Sequence, residues 1–172
     1  MGRQIESSPG YMSGALTGLS PELREQTLRF YEAVAEVASR HGIDLYLPHL
    51  HSDPIKDADI PPRQVVIMDR ERVKDSITMI VDIRRPPYGV GSLGVGMEIG
   101  FCQFHNTNII VLCRRDAYER FKNDPYERKV LEIPEVKAMI LYETDEEALR
   151  QLDGLLEERG EEFRHKVPVK SS

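Results

Sequence analysis

The order of hydrophobic and polar positions along the chain predicts short strands that alternate with amphipathic helices. Apolar runs predict strands within residues 9–18, 43–47, 77–83, 108–113 and 136–142. Helical spacing of apolar residues predicts helices over residues 20–42, 63–75, 96–105 and 145–159. This alternation favours an α/β fold, a three-layer sandwich with a five-stranded parallel sheet of the flavodoxin-like or Rossmann-like type.

Local signals set several boundaries of these elements. Ser20 and Pro21 are typical of a helix start, with serine as N-cap and proline at the first helical position, and Gly42 is typical of a helix end. The 172 residues show no internal repeat and no low-complexity linker. We therefore expect one domain over residues 1–172, with loose segments at residues 1–8 and 161–172.

Four segments follow predicted strands and are expected to meet at one edge of the sheet. In open parallel sheets, ligands bind beyond the carboxyl ends of the strands, at the point where the strand order reverses. The segments that would form such a cleft are residues 11–17, 48–53, 82–96 and 114–118.

Composition and charge exclude several classes of protein. A formal net charge of −6 argues against a binder of nucleic acid polymers, which neutralises phosphates with Lys and Arg. No apolar run reaches the length of a membrane span, and the first ten residues lack the apolar core of a signal peptide. We expect a cytoplasmic protein in which Cys102 and Cys113 are buried free thiols.

The segment YGVGSLGVGMEIG, residues 88–100, places glycines and a serine directly before Glu98. It does not meet the dinucleotide-binding fingerprint, because that loop should follow the first strand. A glutamate in the first helical turn can be a surface group that complements the helix dipole. Alternatively, the positive helix end keeps Glu98 ionised and nucleophilic, while Ser92 and free amides hold an anion or a sugar hydroxyl.

SLGVGMEIG, together with YMSGALTG near the N-terminus and Asp69 before the third strand, resembles the nucleoside 2-deoxyribosyltransferase superfamily. Within it, the sequence is most similar to the deoxynucleoside 5′-monophosphate N-hydrolases, from Tyr11 to about Cys113. The resemblance implies that Glu98 attacks the anomeric carbon, Tyr11 orients Glu98 by a hydrogen bond, and Asp69 protonates the leaving base. It also implies a phosphate-binding role for Ser92. Further candidates for substrate contact are Gly14, Ala15, Gly94, Gly96, His49, Asp82 and Arg114.

The sequence departs from the pattern of these hydrolases at its phosphate-binding positions. Where the family has a serine and an arginine after the first strand, this chain has Ala15 and Thr17. No counterpart of the serine that a partner subunit donates is evident. Extra residues, including Arg84, Arg85 and Tyr88, lengthen the loop before Ser92, so phosphate recognition would depend on arginines such as these or Arg114 and Arg115.

We therefore expect an enzyme that cleaves the N-glycosidic bond of a (deoxy)nucleoside 5′-monophosphate through a glycosyl ester of Glu98. The alternatives are a nucleoside 2-deoxyribosyltransferase, a phosphoribohydrolase whose loop also places glutamate behind glycines, and a non-enzymatic nucleotide-sensing module. The resemblance implies a homodimer or a dimer of dimers, and we expect no cofactor. His49, His51 and Asp53 form an H-x-H-x-D pattern, but no fourth ligand supports a metal site.

Overall fold

The computed structural model describes residues 7–16, 18–53, 59–84 and 93–166. Ser92 and Arg85, which were expected to contribute to a phosphate site, lie outside these ranges. So do Tyr88 of the lengthened loop, Thr17, and residues 1–6 and 167–172.

The described chain alternates strands and helices as the hydrophobic pattern predicts. The strands are β1 Ser8–Gly14, β2 Ile43–Tyr46, β3 Thr78–Ile83, β4 Asn108–Arg114 and β5 Val136–Tyr142. The helices are α1 Pro21–Arg40, α2 Pro62–Asp75, α3 Leu93–His105, α4 Arg115–Phe121, α5 Pro125–Arg128 and α6 Asp145–Phe163. Short 3₁₀ turns cover Pro48–Leu50 and Lys129–Leu131.

The five strands form one parallel sheet in the order β2-β1-β3-β4-β5. This is the flavodoxin-like order, so the predicted fold class is confirmed. The order reverses between β1 and β3, and the crevice beyond the carboxyl ends of these two strands is where ligands bind in such sheets.

Helices cover both faces of the sheet and divide the core in two. On one face, α1 and α6 bury Phe30, Val34 and Leu152 against even-numbered residues of the central strands, such as Ile80 and Ile110. On the other face, residues of α2, α3 and α4 pack against odd-numbered residues of the same strands. Because side chains alternate across a strand, each strand residue is assigned to one face by its position alone.

The boundary signals of the first helix act as predicted. Ser20 accepts a hydrogen bond from the Leu23 amide and Pro21 occupies the first helical position. At the other end, Gly42 adopts a φ of 76°, in the left-handed region that glycine enters without steric cost.

The chain is more ordered at its C-terminus than expected. Helix α6 continues to Phe163, whose side chain is fully buried. The Thr78 hydroxyl donates to the Phe163 carbonyl, and the Asn108 amide donates to the carbonyls of Glu162 and His165. The expectation of a loose segment from residue 161 is therefore wrong for residues 161–166, because β3 and β4 satisfy the last carbonyls of the helix.

Two short helices after β4 were not predicted from the sequence. Helix α4 buries only Ala117 and Phe121, and α5 is a single turn. Segments this short do not repeat an apolar position often enough to show a helical period.

Candidate active site

Strand β1 brings two hydroxyl groups to the face of the sheet that α2 and α3 cover. Tyr11 and Ser13 are two residues apart, so their side chains point to the same face. Both are buried, and the Tyr11 ring belongs to the core on that side.

Glu98 of α3 meets these two hydroxyls. It lies on the sheet-facing side of the helix, together with the buried residues Val95, Ile99 and Cys102. The Tyr11 hydroxyl donates to Glu98 Oε1 at 2.8 Å, and the Ser13 hydroxyl donates to Oε2. Each carboxyl oxygen of Glu98 is thus held by one side-chain donor from β1.

The helix end does not act on Glu98 as the sequence suggested. Helix α3 begins at Leu93, so Glu98 lies in the second turn and Gly94 and Gly96 are helical residues. The helix dipole acts mainly within the first turn. The expectation of a glutamate kept ionised at the helix mouth is therefore wrong. Burial raises the pKa of Glu98 to about 7, although hydrogen bonds from Ser13 and Tyr11 lower it.

A second carboxyl group, Asp69 of α2, lies close to the first. Asp69 precedes the buried Val73 by one helical turn and faces the sheet with it. Its charge raises the pKa of Glu98, and burial raises the pKa of Asp69 itself. Asp69 Oδ1 is buried and accepts no hydrogen bond from the described residues.

Tyr11 lies between the two carboxyls. Burial, then the charges of Glu98 and Asp69, raise the pKa of the Tyr11 hydroxyl far above its ordinary value. The hydroxyl is therefore a proton donor at all physiological pH values, and its hydrogen bond to Glu98 persists when Glu98 is ionised.

An aromatic stack supports Tyr11 from behind. The Tyr46 ring stacks on the Tyr11 ring with centroids 5.9 Å apart, and His51 stacks on Tyr46 at 4.5 Å. The Arg72 guanidinium lies 4.9 Å from the centroid of the Tyr46 ring. These contacts fix the direction in which Tyr11 presents its hydroxyl.

Sequence reasoning identified Glu98, Tyr11 and Asp69, which the structure brings together, but it missed Ser13, Tyr46 and Arg72. Ser13 could have been identified from its spacing of two residues from Tyr11, because this spacing places both side chains on one face of a strand. Tyr46 could be found only with the strand register, which pairs it with Tyr11.

Asp82 lies on the opposite face of the sheet from Glu98. Its carboxylate accepts hydrogen bonds from Arg84 Nε at 2.5 Å and from the Tyr142 hydroxyl at 2.7 Å. Arg84 also lies 3.3 Å from the Asp145 carboxylate and stacks over the Phe30 ring. The structure therefore places Asp82 and Arg84 in a buried ion pair between β3 and the α1/α6 layer, apart from the cluster of Tyr11, Asp69 and Glu98.

Gly14 faces the same side as Asp82, and its lack of a side chain has a packing reason. A Cβ atom on Gly14 would lie 1.9 Å from the hydroxyl oxygen of Tyr31. The glycine thus makes room for a buried tyrosine of α1. Ala15, on the other face, packs against the core beside Tyr11.

His49 and Arg114 also lie away from Glu98. His49 is buried beside α1, with Nε2 3.6 Å from Glu32 Oε1, and burial lowers its pKa. Arg114 ends β4 and pairs with Asp116 at 3.2 Å, while Arg115 lies 3.7 Å from both Glu143 and Glu147. The arginines of the described chain that were proposed as phosphate ligands thus already face carboxylates.

The cysteines, the possible metal ligands and the hydrophobicity of the helices were also compared with expectation. Cys102 and Cys113 are free and buried, as expected. Within the same ranges, no group of three or more His, Cys, Asp or Glu residues lies close enough to hold a metal ion. No described helix has the length and apolar character that crossing a bilayer requires.

Comparison with known proteins identifies the fold. No family model matches the sequence, and no curated protein shows significant similarity to it. Among solved structures, the chain is similar to the Clostridium botulinum CMP N-glycosidase BcmB, with 19% identity, a TM-score of 0.60 and coverage of 86% of this chain and 99% of that one.

Two further structures share the fold. BlsM has 15% identity and a TM-score of 0.63 over 98% of this chain and 100% of its own length. A conserved protein from Enterococcus faecalis V583 has 18% identity and a TM-score of 0.58 over 86% of this chain and 98% of its own. The coverage shows that the described fold extends over nearly the full length of all three proteins.

Proposed function

We propose that this protein cleaves the N-glycosidic bond of a nucleoside or deoxynucleoside 5′-monophosphate, with Glu98 as nucleophile and Asp69 as general acid. The observation that supports this most strongly is the cluster of Tyr11, Ser13, Asp69 and Glu98 at the point where the strand order reverses. The shared fold of an N-glycosidase that acts on CMP is consistent with it.

The chemistry requires two carboxyl groups in different protonation states, as in retaining glycosidases. Burial raises the pKa of both Glu98 and Asp69, and the charge of Asp69 raises the pKa of Glu98 further. Two neighbouring carboxyls of this kind favour a state in which a single proton is shared by the pair. The nucleophile and the acid then exist at the same pH.

In the first step, a lone pair of ionised Glu98 attacks C1′ of the sugar. The bond between C1′ and the base nitrogen breaks, its electron pair stays with the base, and Asp69 transfers its proton to the departing base. The Tyr11 and Ser13 hydroxyls occupy one acceptor site on each Glu98 oxygen. The remaining lone pairs are free to form the ester bond.

In the second step, water attacks C1′ and gives a proton to the Asp69 carboxylate. The ester bond breaks, its electron pair returns to Glu98, and the sugar phosphate is released with the protein in its starting state. A free base in place of water would produce base exchange instead of hydrolysis.

That exchange reaction, nucleoside 2-deoxyribosyl transfer, is the second candidate function. It is favoured by one observation: Arg84, Arg114 and Arg115 face carboxylates of the protein, so a substrate phosphate would have to compete with these carboxylates. A transferase that acts on nucleosides has no substrate anion to hold.

The test is release of free base from a panel of nucleosides and their 5′-monophosphates, in ribose and deoxyribose forms, with and without an acceptor base. We expect a higher kcat/KM for monophosphates and no requirement for an acceptor. Glu98→Gln and Asp69→Asn should lose base release, whereas Glu36→Gln and Asp75→Asn, exposed acids of α1 and α2, should keep it. Release of free base that depends on an acceptor base would indicate the transferase. If no nucleoside or monophosphate of the panel released its base, both candidate functions would be wrong.

A further inference from the structure

Ser13 belongs to the cluster around Glu98, although no role was predicted for it from the sequence. Its side chain is almost fully buried, and its hydroxyl donates to Glu98 Oε2 while Tyr11 holds Oε1. The other buried serine of β1, Ser8, donates to a backbone carbonyl, that of Gly42. A serine in this strand therefore does not need a carboxylate partner to be satisfied.

We propose that Ser13 is a positioning residue that fixes the second oxygen of Glu98 and favours its ionised, attacking form. This inference rests on the proposed function in one respect only, that Glu98 is the nucleophile. A carboxylate held by one donor can rotate about its last side-chain bond, whereas two donors from adjacent positions of a rigid strand fix its plane. Tyr11 is supported by the stack on Tyr46, and Ser13 by its place within the central sheet.

The effect on the proton equilibrium of Glu98 follows from the direction of these bonds. A hydroxyl donor stabilises the ionised carboxylate more than the neutral acid, so its removal raises the pKa of Glu98. Glu98 must be ionised to attack, and the acid limb of kcat/KM therefore moves to higher pH when Ser13 is lost. A residue needed for folding alone would change the amount of active protein and leave the position of that limb unchanged.

The experiment measures the pH profile of kcat/KM with cytidine and deoxycytidine 5′-monophosphates in wild type, Ser13→Ala, Ser13→Cys and Ser8→Ala. Ser13→Ala should move the acid limb up by about one pH unit, the scale of one charge-assisted hydrogen bond. Ser13→Cys, a weaker donor of similar shape, should move it by less. Ser8→Ala removes another buried hydroxyl from the same strand and should leave the limb in place.

A second readout does not depend on activity. Carbon NMR of protein labelled at the glutamate carboxyl carbons, with the Glu98 signal assigned by its absence in Glu98→Gln, gives the midpoint of Glu98 titration directly. The midpoint should rise in Ser13→Ala and not in Ser8→Ala. An unchanged midpoint in folded Ser13→Ala overturns the inference, whether or not the protein releases base. A shifted midpoint in a protein that releases no base would retain the role of Ser13 in holding Glu98 and reject the proposed function.

Discussion

At the scale of single residues, Glu98 combines burial with hydrogen bonds of opposite effect. Burial favours the neutral acid, and the Ser13 and Tyr11 hydroxyls favour the carboxylate. The result is a pKa of about 7, which allows proton exchange near neutral pH. An exposed glutamate would be fully ionised but also fully hydrated, and it would lie away from the tyrosine that orients it.

This arrangement predicts a pH-dependent cost in stability. The pKa of Glu98 rises on folding from its ordinary value of 4.5 to about 7, so its contribution to stability is lost as pH increases through this range. Glu98→Gln removes the ionisation, and its amide can still pair with both hydroxyls. The free energy of unfolding of Glu98→Gln should exceed that of wild type by an amount that grows as the pH rises from the lower to the higher of the two pKa values. The difference should reach about 3 kcal/mol and then stay constant.

Urea denaturation of the two proteins between pH 4 and pH 8 measures this difference, with Glu36→Gln as the matched control on the exposed side of α1. A difference that is independent of pH would contradict a raised pKa of Glu98.

At the residue scale, the sequence predicted three residues that the structure brings together, but not all of the contacts around them. Glu98, Tyr11 and Asp69 could be found because their motifs are local in the sequence. Asp82 and His49 were assigned to the site from their places at strand ends, but alternation and packing turn them to the α1 side. Alternation along a strand shows which residues share a face, but which of the two faces carries the site depends on the helices packed there, and a single sequence does not specify this.

At the scale of elements, the last two residues of β1 make contacts on opposite faces of the sheet. Ser13 faces Glu98, and Gly14 faces the Tyr31 hydroxyl. Helix α1 can lie close to the sheet at this point because Gly14 has no side chain. The position of α1 and the position of the hydroxyls that hold Glu98 are thus linked through adjacent residues of one strand.

Gly14→Ala should destabilise the protein, because the new methyl group would overlap the Tyr31 hydroxyl. Overpacking of this kind costs about 1–3 kcal/mol. The control is Gly154→Ala in α6, where a Cβ meets no atom within 4 Å and should stabilise the helix by up to about 1 kcal/mol. Thermal unfolding of both variants measures these effects, and equal melting temperatures for Gly14→Ala and wild type would show that Tyr31 can move aside.

The elements with clear apolar periods were predicted from the sequence, and their boundaries were less accurate. Helix α3 begins at Leu93 and not at Gly96, because glycines that suggest a loop are tolerated in a helix that is packed on one side. This difference of one turn changed the electrostatic account of Glu98. Tertiary packing decides such boundaries, and it is not visible in local propensity.

At the scale of the whole molecule, the order of strands and the place of the site agree with the rule for open parallel sheets. Glu98 follows β3, and its hydroxyl partners lie in the second half of β1. The strand order reverses between these two strands. The alternation of elements was sufficient to predict a parallel sheet. The strand order itself came from the structure, since the alternation of elements allows more than one order.

The outer surfaces of α2 and α3 expose several large apolar side chains. Val66 and Ile67 of α2 and Met97 and Phe104 of α3 are exposed, Phe104 to 84%. These helices also carry Asp69 and Glu98, and a second copy of the chain on this surface would lie beside the site, as the resemblance implies. We therefore expect a homodimer through these helices.

Phe104→Glu should convert the dimer to a monomer, because a buried interface would then contain an unpaired charge. Leu50→Glu, which changes another exposed apolar residue in the turn after β2, should remain dimeric. Light scattering at micromolar concentration distinguishes these states. A monomeric wild-type protein with full activity would refute the expected dimer.

The most direct test of the covalent mechanism is the configuration of the product formed when methanol replaces water. Natural nucleotides are β-anomers, and a reaction through a Glu98 ester inverts C1′ twice. Proton NMR of the methyl glycoside formed from a cleaved monophosphate in dilute methanol gives the configuration, because this product does not interconvert in solution. The account predicts the β-methyl glycoside, whereas the α-methyl glycoside would show a single displacement and contradict the assignment of Glu98 as nucleophile.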